Sequence, residues 1–354
     1  MTFKWWYKNR PYTLDLTLYE SVYEYYAGKP GSVSYFKSEG PPADWKKEFY
    51  GMFTEVPREE EIFALTAEKI REAGKKRGLT DDEIVELAIT FVQAIPYDRE
   101  RALRILREEE TSKYPYEVLY RGQGTCSGKS FLGALILDEL GYGRSLFAYE
   151  ERQHLALAVR VPRDYSNYSS GYGYVETTVF GLPVGIVPEF ESGEGAIPVR
   201  NYGFSARDIR YIEEGEGMFP QISTEKMGEV SIYQKTEGKV YNGIKQVMDI
   251  RDRIIHFYDT AVINKSRLKR MKVDLNRREK EISRLIQKME KEKEPGNINR
   301  YNRMVENYRK EYEKYKNELD RYNNLVDEYN GKIEKYNLLI AKFYSLEDRS
   351  RVRN

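Results

Sequence analysis

The sequence predicts an α+β globular unit followed by a long antiparallel α-helical hairpin. Two observations carry this. Helical patterns come first in the globular part, and three short β-type runs follow them (residues 145–149, 155–161 and 172–178), an order that segregates helices from strands. From about Tyr241 onward, apolar and aromatic residues recur every seven positions in two runs parted by Glu294-Pro295-Gly296-Asn297. At 354 residues the chain is long for a single core. It divides into an aromatic-rich segment (1–58) packing on the core, an α+β domain (59–224) and the hairpin (225–354).

The N-terminal segment carries Trp5, Trp6, Tyr7, Tyr12, Tyr19, Tyr23, Tyr25 and Tyr26. Alternation over 12–18 predicts a strand, and a short helix follows. Residues 31–44 are rich in Gly, Pro and Ser and predict a loop. Ile62, Phe63, Leu65 and Ile70 give residues 59–74 a helical pattern. Thr80-Asp81-Asp82-Glu83 is a capping box that opens a helix through Ile84, Leu87, Phe91 and Val92 to Ile95, before Pro96. A charged stretch (99–110) and Tyr114-Pro115-Tyr116-Glu117-Val118-Leu119-Tyr120 precede the turn-forming Arg121-Gly122-Gln123-Gly124-Thr125. Cys126 then starts a helix whose apolar face is Phe131, Leu132, Leu135, Ile136 and Leu140, with Gly141 placed for a left-handed cap.

Composition narrows the function. One cysteine forms no intrachain disulfide, and with no Cys/His cluster a structural zinc site is not expected, nor any cofactor. The N-terminus lacks the pattern of a secretory signal, and no run of about 18 apolar residues is present, so a cytoplasmic protein is expected. Residues 241–354 hold 28 Lys and Arg against 19 Asp and Glu, so a basic tail follows an acidic body. Its charges are interleaved rather than blocked, which argues for a solvated helix surface and against a nucleic-acid partner.

The chemistry-bearing residues are few. A lone cysteine is most often a small buried hydrophobe. Cys126, however, follows a Gly-rich turn and opens a helix, where unpaired amides and the macrodipole favour thiolate and can hold an oxyanion. A thiolate nucleophile needs a base, and the chain has two histidines. His256 lies in the tail. His154 begins a strand in the same domain as Cys126. Glu176 lies near the end of the next strand, where antiparallel pairing brings it beside His154 to orient the imidazole. Asp164, in the intervening loop, is the alternative acid. Gly128-Lys129-Ser130 matches the end of a phosphate loop, but Gly124 stands one residue too close, which speaks against nucleotide binding.

The stretch 114–188 resembles the transglutaminase-like superfamily of cysteine enzymes. The matching pieces are Phe91-Val92-Gln93, Tyr114-Pro115-Tyr116-Glu117-Val118-Leu119, Gly124-Thr125-Cys126, Leu140-Gly141-Tyr142, His154-Leu155-Ala156-Leu157-Ala158-Val159 and Tyr174-Val175-Glu176-Thr177-Thr178. The resemblance covers about residues 3–188. It implies a papain/transglutaminase-like fold, with a helix packed on an antiparallel sheet. It also implies a catalytic triad of nucleophile Cys126, base Cys126's partner His154 and orienting acid Glu176, with Gln93 as an oxyanion donor. The implied activity is acyl transfer or hydrolysis at an amide or isopeptide bond of a protein or peptide, as a cysteine protease or transglutaminase. Relatives surround the cysteine with acids. Here Thr125, Ser127 and Lys129 stand instead, which either lowers the thiol pKa further or marks an inactive peptide-binding scaffold.

In the tail, Tyr301, Tyr308, Tyr315, Tyr322, Tyr329, Tyr336 and Phe343 recur every seven residues. Val305, Tyr312, Leu319, Val326, Ile333 and Ile340 lie four later. Upstream, Ile254, Ala261, Leu268, Leu275, Ile282 and Met289 form one row, with Tyr258, Lys265, Lys272, Glu279 and Ile286 as its poorer companion. Two helices of this length predict a hairpin on the order of 70 Å long, turning at Pro295-Gly296. Tyrosine in the seam predicts either a self-sufficient hairpin or one completed by a second copy or a coiled-coil partner.

Overall fold

The computed structural model describes residues 1–33, 40–55, 61–187, 228–292 and 298–348. Mixed helices and antiparallel strands make it α+β. The chain forms two compact units, one of residues 1–251 with 342–354, the other of residues 252–341.

The first unit starts with β1 (Thr2–Tyr7) and β2 (Arg10–Asp15), paired antiparallel with Trp5 opposite Tyr12. Sequence alternation revealed only the second of these strands. Lys8 and Asn9 join them at φ of 50° and 56°, the left-handed pair of a tight hairpin turn. Trp5, Tyr7, Tyr12 and Leu14 bury one face. Trp5 and Phe91 rings lie 5.2 Å apart, so the aromatic segment is part of the core.

Helices α1 (Glu20–Ala27), α2 (Trp45–Thr54), α3 (Glu61–Lys75) and α4 (Asp81–Ala94) follow. The capping box closes α4: the Thr80 hydroxyl accepts from Glu83 N–H at 3.3 Å, and the Glu83 carboxylate accepts from Thr80 N–H at 2.8 Å. The charged stretch then forms α5 (Arg99–Leu106), with Asp98 accepting from Arg101 N–H at 2.9 Å. No residue of α5 is fully buried. Helix α6 (Pro115–Arg121) ends at Gly122, whose φ of 63° turns the chain toward Cys126.

Helix α7 (Cys126–Glu139) is the centre of the unit, with every residue from Gly128 to Leu137 buried. A helix surrounded by protein has to be apolar all round. It lies against β4 so closely that a Cβ on Gly133 would stand 2.6 Å from Leu157. The sheet is antiparallel in the order β5-β4-β3-β6, from β3 (Arg144–Tyr149), β4 (His154–Arg160), β5 (Tyr172–Val175) and β6 (Ser231–Tyr233). Leu155, Leu157, Val159 and Val175 belong to the α7 core, while Ala156, Ala158, Tyr172 and Tyr174 pack in a second cluster with Phe147 and Tyr149.

Two boundaries differ from the sequence reading. Strand β6 lies inside the span assigned to the hairpin (225–354); it pairs with β3, Phe147 opposite Ile232, too short to register as a strand by pattern. β5 stops at Val175 rather than 178, because the Glu176 carboxylate takes the Thr178 N–H at 2.7 Å and turns the chain away from the ladder. Residues 188–224 of the expected domain lie outside the described residues, as does the Glu294–Asn297 turn (294–297).

Two long helices follow, α8 (Ile244–Lys291) and α9 (Ile298–Asp348), 48 and 51 residues long, and the second unit consists of their parts within residues 252–341. Arg278 pairs with Glu318 at 2.6 Å and with Glu311 at 3.5 Å, and Asn264 donates to Glu328 at 3.4 Å, which sets an antiparallel register. The companion row in α8 is a correction. Lys265, Lys272, Glu279 and Ile286 are exposed, and the inward row lies three residues after the first: Asn264, Met271, Arg278 and Leu285. In α9 the row three after the tyrosines likewise turns inward, with Leu325 and Leu339 buried and Tyr312 45% exposed. Polar Asn264 and Arg278 are tolerated in the seam because carboxylates of α9 reach them. The Ile340 and Phe343 side chains lie outside the described set.

Candidate active site

Register brings the predicted acid and base together. Leu157 faces Val175 across the β4–β5 ladder, which puts Glu176 beside Ala156 and on the same sheet face as His154, one diagonal step away. The His154 Nε2 lies 3.3 Å from Glu176 Oε2 and 3.4 Å from the Tyr174 hydroxyl. With Nε2 so engaged, Nδ1 is the nitrogen left to serve the thiol. His154 is the first residue of β4, at the lip of the sheet, where its ring meets the N-terminus of α7 and hydrogen-bonds the Cys126 thiol. The Leu155 N–H also donates to this sulfur. Ser130 tethers helix to strand, donating to the Leu155 carbonyl at 3.1 Å.

Glu176 is wholly buried yet satisfied. Its Oε2 accepts from Tyr174 OH at 2.5 Å, and its Oε1 accepts from the N–H and hydroxyl of Thr178 at 2.7 and 2.6 Å. Burial opposes its charge, but the neighbouring imidazole and these donors outweigh that and hold its carboxyl at about 2. Burial likewise opposes charge on His154; the Glu176 carboxylate prevails and pushes the imidazole up to about 10. For Cys126 burial favours the neutral thiol, and the His154 hydrogen bond and charge overcome it, lowering the pKa. The set therefore favours thiolate and imidazolium over their neutral forms.

The turn before Cys126 is held rigidly. Gly124 N–H donates to the Pro96 carbonyl at 3.0 Å, and Asp98 N–H to the Gly124 carbonyl at 3.1 Å. Thr125, the N-cap of α7, makes no side-chain capping bond, and its hydroxyl instead lies 3.1 Å from that of Ser127. The first-turn amides are thus not capped by a side chain, as a site for a developing oxyanion requires.

Gln93 is not placed as an oxyanion donor. Its amide nitrogen donates to the Glu176 and Leu182 carbonyls at 2.8 and 3.1 Å, and its oxygen accepts from Gly181 N–H at 2.9 Å. Both protons are spent on the segment that follows β5, so Gln93 supports Glu176 from behind. Asp164 is exposed, and His256 is an exposed residue of α8.

Sequence reasoning missed two contributors and the burial of a third. Tyr97 pairs its backbone with Gly124 and lines the cavity beside Cys126; burial, then the nearby Cys126 and Glu176 charges, raises its pKa. Tyr174 was visible only as a strand residue. Lys129, one turn into α7, is wholly buried. Its ammonium donates to the carbonyls of Ile95 at 2.6 Å and Gln93 at 3.2 Å, and desolvation lowers its pKa to about 7 against the charges of Glu176 and Cys126. The sequence marked Lys129 as a basic residue near the thiol but not its burial, because spacing does not reveal that every side of the helix is covered.

Cys126 and His154 open onto a cavity of about 190 Å³ walled by α2, α5 and the end of β3. Among the described residues no three His, Cys, Asp or Glu side chains group as a metal site requires, and no helix is long and apolar enough to cross a membrane. No protein-family model matches this sequence, and no curated protein matches it.

Proposed function

We propose that the chain is a cysteine-dependent acyl-transfer enzyme acting at an amide or isopeptide carbonyl, on a papain/transglutaminase-like fold. One observation supports this above the others: Cys126, at an uncapped helix N-terminus, hydrogen-bonds an imidazole that a buried carboxylate holds from its far side at 3.3 Å.

In this reading the Cys126 thiolate attacks the carbonyl carbon, and the oxyanion forms against the amides of the first turn of α7. The His154 imidazolium gives its proton to the departing amine, leaving a thioester on Cys126. His154, now neutral, takes a proton from water or from an acceptor amine, which attacks the thioester; collapse of the second tetrahedral intermediate expels the Cys126 thiolate beside the re-protonated imidazole. Glu176 holds the ring and stabilises its charged form. The acyl donor is a protein or peptide, and the reaction needs no cofactor. A lone reactive thiol suits a reducing compartment such as the cytoplasm. The long hairpin is the element available to dock a second chain, tested by sedimentation of the whole protein across micromolar concentrations.

The deciding experiment is alkylation of the whole protein by iodoacetamide near neutral pH. Cys126 should react about ten-fold or more faster than free cysteine, and His154→Ala should remove the advantage. A wild-type rate no faster than that of free cysteine would leave the inactive scaffold as the better reading.

A further inference from the structure

The cavity at Cys126 is too small for a length of peptide, and its two facing helical walls are apolar. At about 190 Å³ it is slightly larger than the roughly 150 Å³ cavity that holds one benzene ring. One wall is α2, through Phe49 and Tyr50; the other is α5, through Leu103 and Leu106.

Helix α5 makes little sense without an occupant. Its eight residues include Ala102, Leu103, Ile105 and Leu106, all lining the cavity, yet none is buried in the core. The helix is held from outside instead. Arg101 and Arg104 both pair with Glu110, at 2.6 and 2.7 Å, and Asp98 caps its start. An amphipathic helix braced by ion pairs, with its apolar side turned to a void, is a wall rather than a core element.

The charges at the cavity are also accounted for. Glu150 is paired with Lys46 and lies 3.5 Å from the Tyr233 hydroxyl, so its charge is matched. Arg99 is exposed at the first position of α5. Apart from the Cys126–His154 pair, the charged residues lining the cavity are therefore Glu150, already matched, and Arg99, whose side chain is exposed to solvent rather than enclosed.

We propose that the acyl donor carries one bulky apolar side chain, aromatic or branched aliphatic, next to the carbonyl that Cys126 attacks, and that this side chain seats between Phe49 and Tyr50 of α2 and Leu103 and Leu106 of α5. The inference rests on the acyl-transfer reading given above and adds the substrate class to it. Specificity of this kind is hydrophobic in origin, so its scale is that of burying one side chain, about ten-fold or more in rate.

The test is inactivation of the full-length protein by a series of N-acylated aminoacyl chloromethyl ketones with Phe, Leu, Gly, Asp or Lys side chains. Each second-order rate is divided by the iodoacetamide rate of the same protein, so that thiol reactivity cancels. The Phe and Leu reagents should exceed the Asp and Lys reagents by about ten-fold or more. Leu103→Asp should erase that preference, and the milder Leu103→Ala, which leaves α5 amphipathic, should reduce it several-fold, with helix content checked by circular dichroism. Equal normalised rates across the series, with iodoacetamide still fast, would overturn the apolar subsite and leave the acyl-transfer reading standing. An iodoacetamide rate no greater than that of free cysteine would overturn both.

Discussion

The buried ammonium of Lys129 sits 2.6 Å from the Ile95 carbonyl oxygen, one turn along α7 from Cys126. No carboxylate pairs with it among the described ion pairs, so two backbone carbonyls carry its hydrogen bonds. Thiolate, imidazolium and Glu176 together leave one negative charge in a water-poor site, and Lys129, fully charged only below its pKa of about 7, offsets it. Lys129→Met should therefore move the alkylation profile of Cys126 to higher pH and slow the reaction at pH 7 by several-fold. Iodoacetamide kinetics between pH 5 and about 9 check this. An unshifted profile would reduce Lys129 to a packing anchor.

The Glu176–His154 pair sets a pH window for stability. Glu176 is lowered from 4.5 to about 2, so its contribution is complete above 4.5 and lost as pH falls through about 2. His154 is raised from 6.5 to about 10, so its contribution is complete below 6.5 and lost as pH rises through about 10. Both are whole between 4.5 and 6.5. The Tm difference between the wild type and Glu176→Gln should be widest there and narrow steadily toward pH 10. A difference that stays constant from pH 6 to pH 10 would deny the charged pair.

Gln93 separates support from chemistry. Gln93→Leu leaves the Leu182 carbonyl and the Gly181 amide without their partner, at a cost of about 2–3 kcal/mol in denaturant unfolding. Iodoacetamide should still label Cys126 in the folded variant, because the thiol's own partners remain. If instead Gln93→Leu kept full stability while acyl turnover fell 100-fold, Gln93 would be an oxyanion donor after all.

The seam of the hairpin can be read with two adjacent residues. Leu285 lies on the inward row of α8, whereas Ile286, equally apolar, is 40% exposed. Leu285→Lys should lower the thermal midpoint of the helical signal, at a cost of about 1–3 kcal/mol, and Ile286→Lys should stay within about 0.5 kcal/mol of the wild type. The reverse order would restore the companion row that includes Ile286.

What was legible in the sequence was periodic or local. The Thr80–Glu83 capping box, the start of α7 at Cys126, the left-handed Gly141, the strands at 145–149 and 155–161 and the seven-residue rows of the tail depend on neighbours a few positions away, which a sequence displays directly. That Cys126, His154 and Glu176 share one domain follows from their order along it. The rest depended on long-range packing. The first strand of the N-terminal hairpin (β1), the short β6 and the inward row of α8 were decided by what lies opposite them. The same holds for the side chains around the thiol. Gln93 looks like a free donor until the segment after β5 comes to lie on it, and Lys129 reads only as a basic neighbour of the thiol until helices and sheet bury it. Hydrogen-bond partners and desolvation belong to the packed fold, because both are set by atoms that are distant along the chain and adjacent only after it folds.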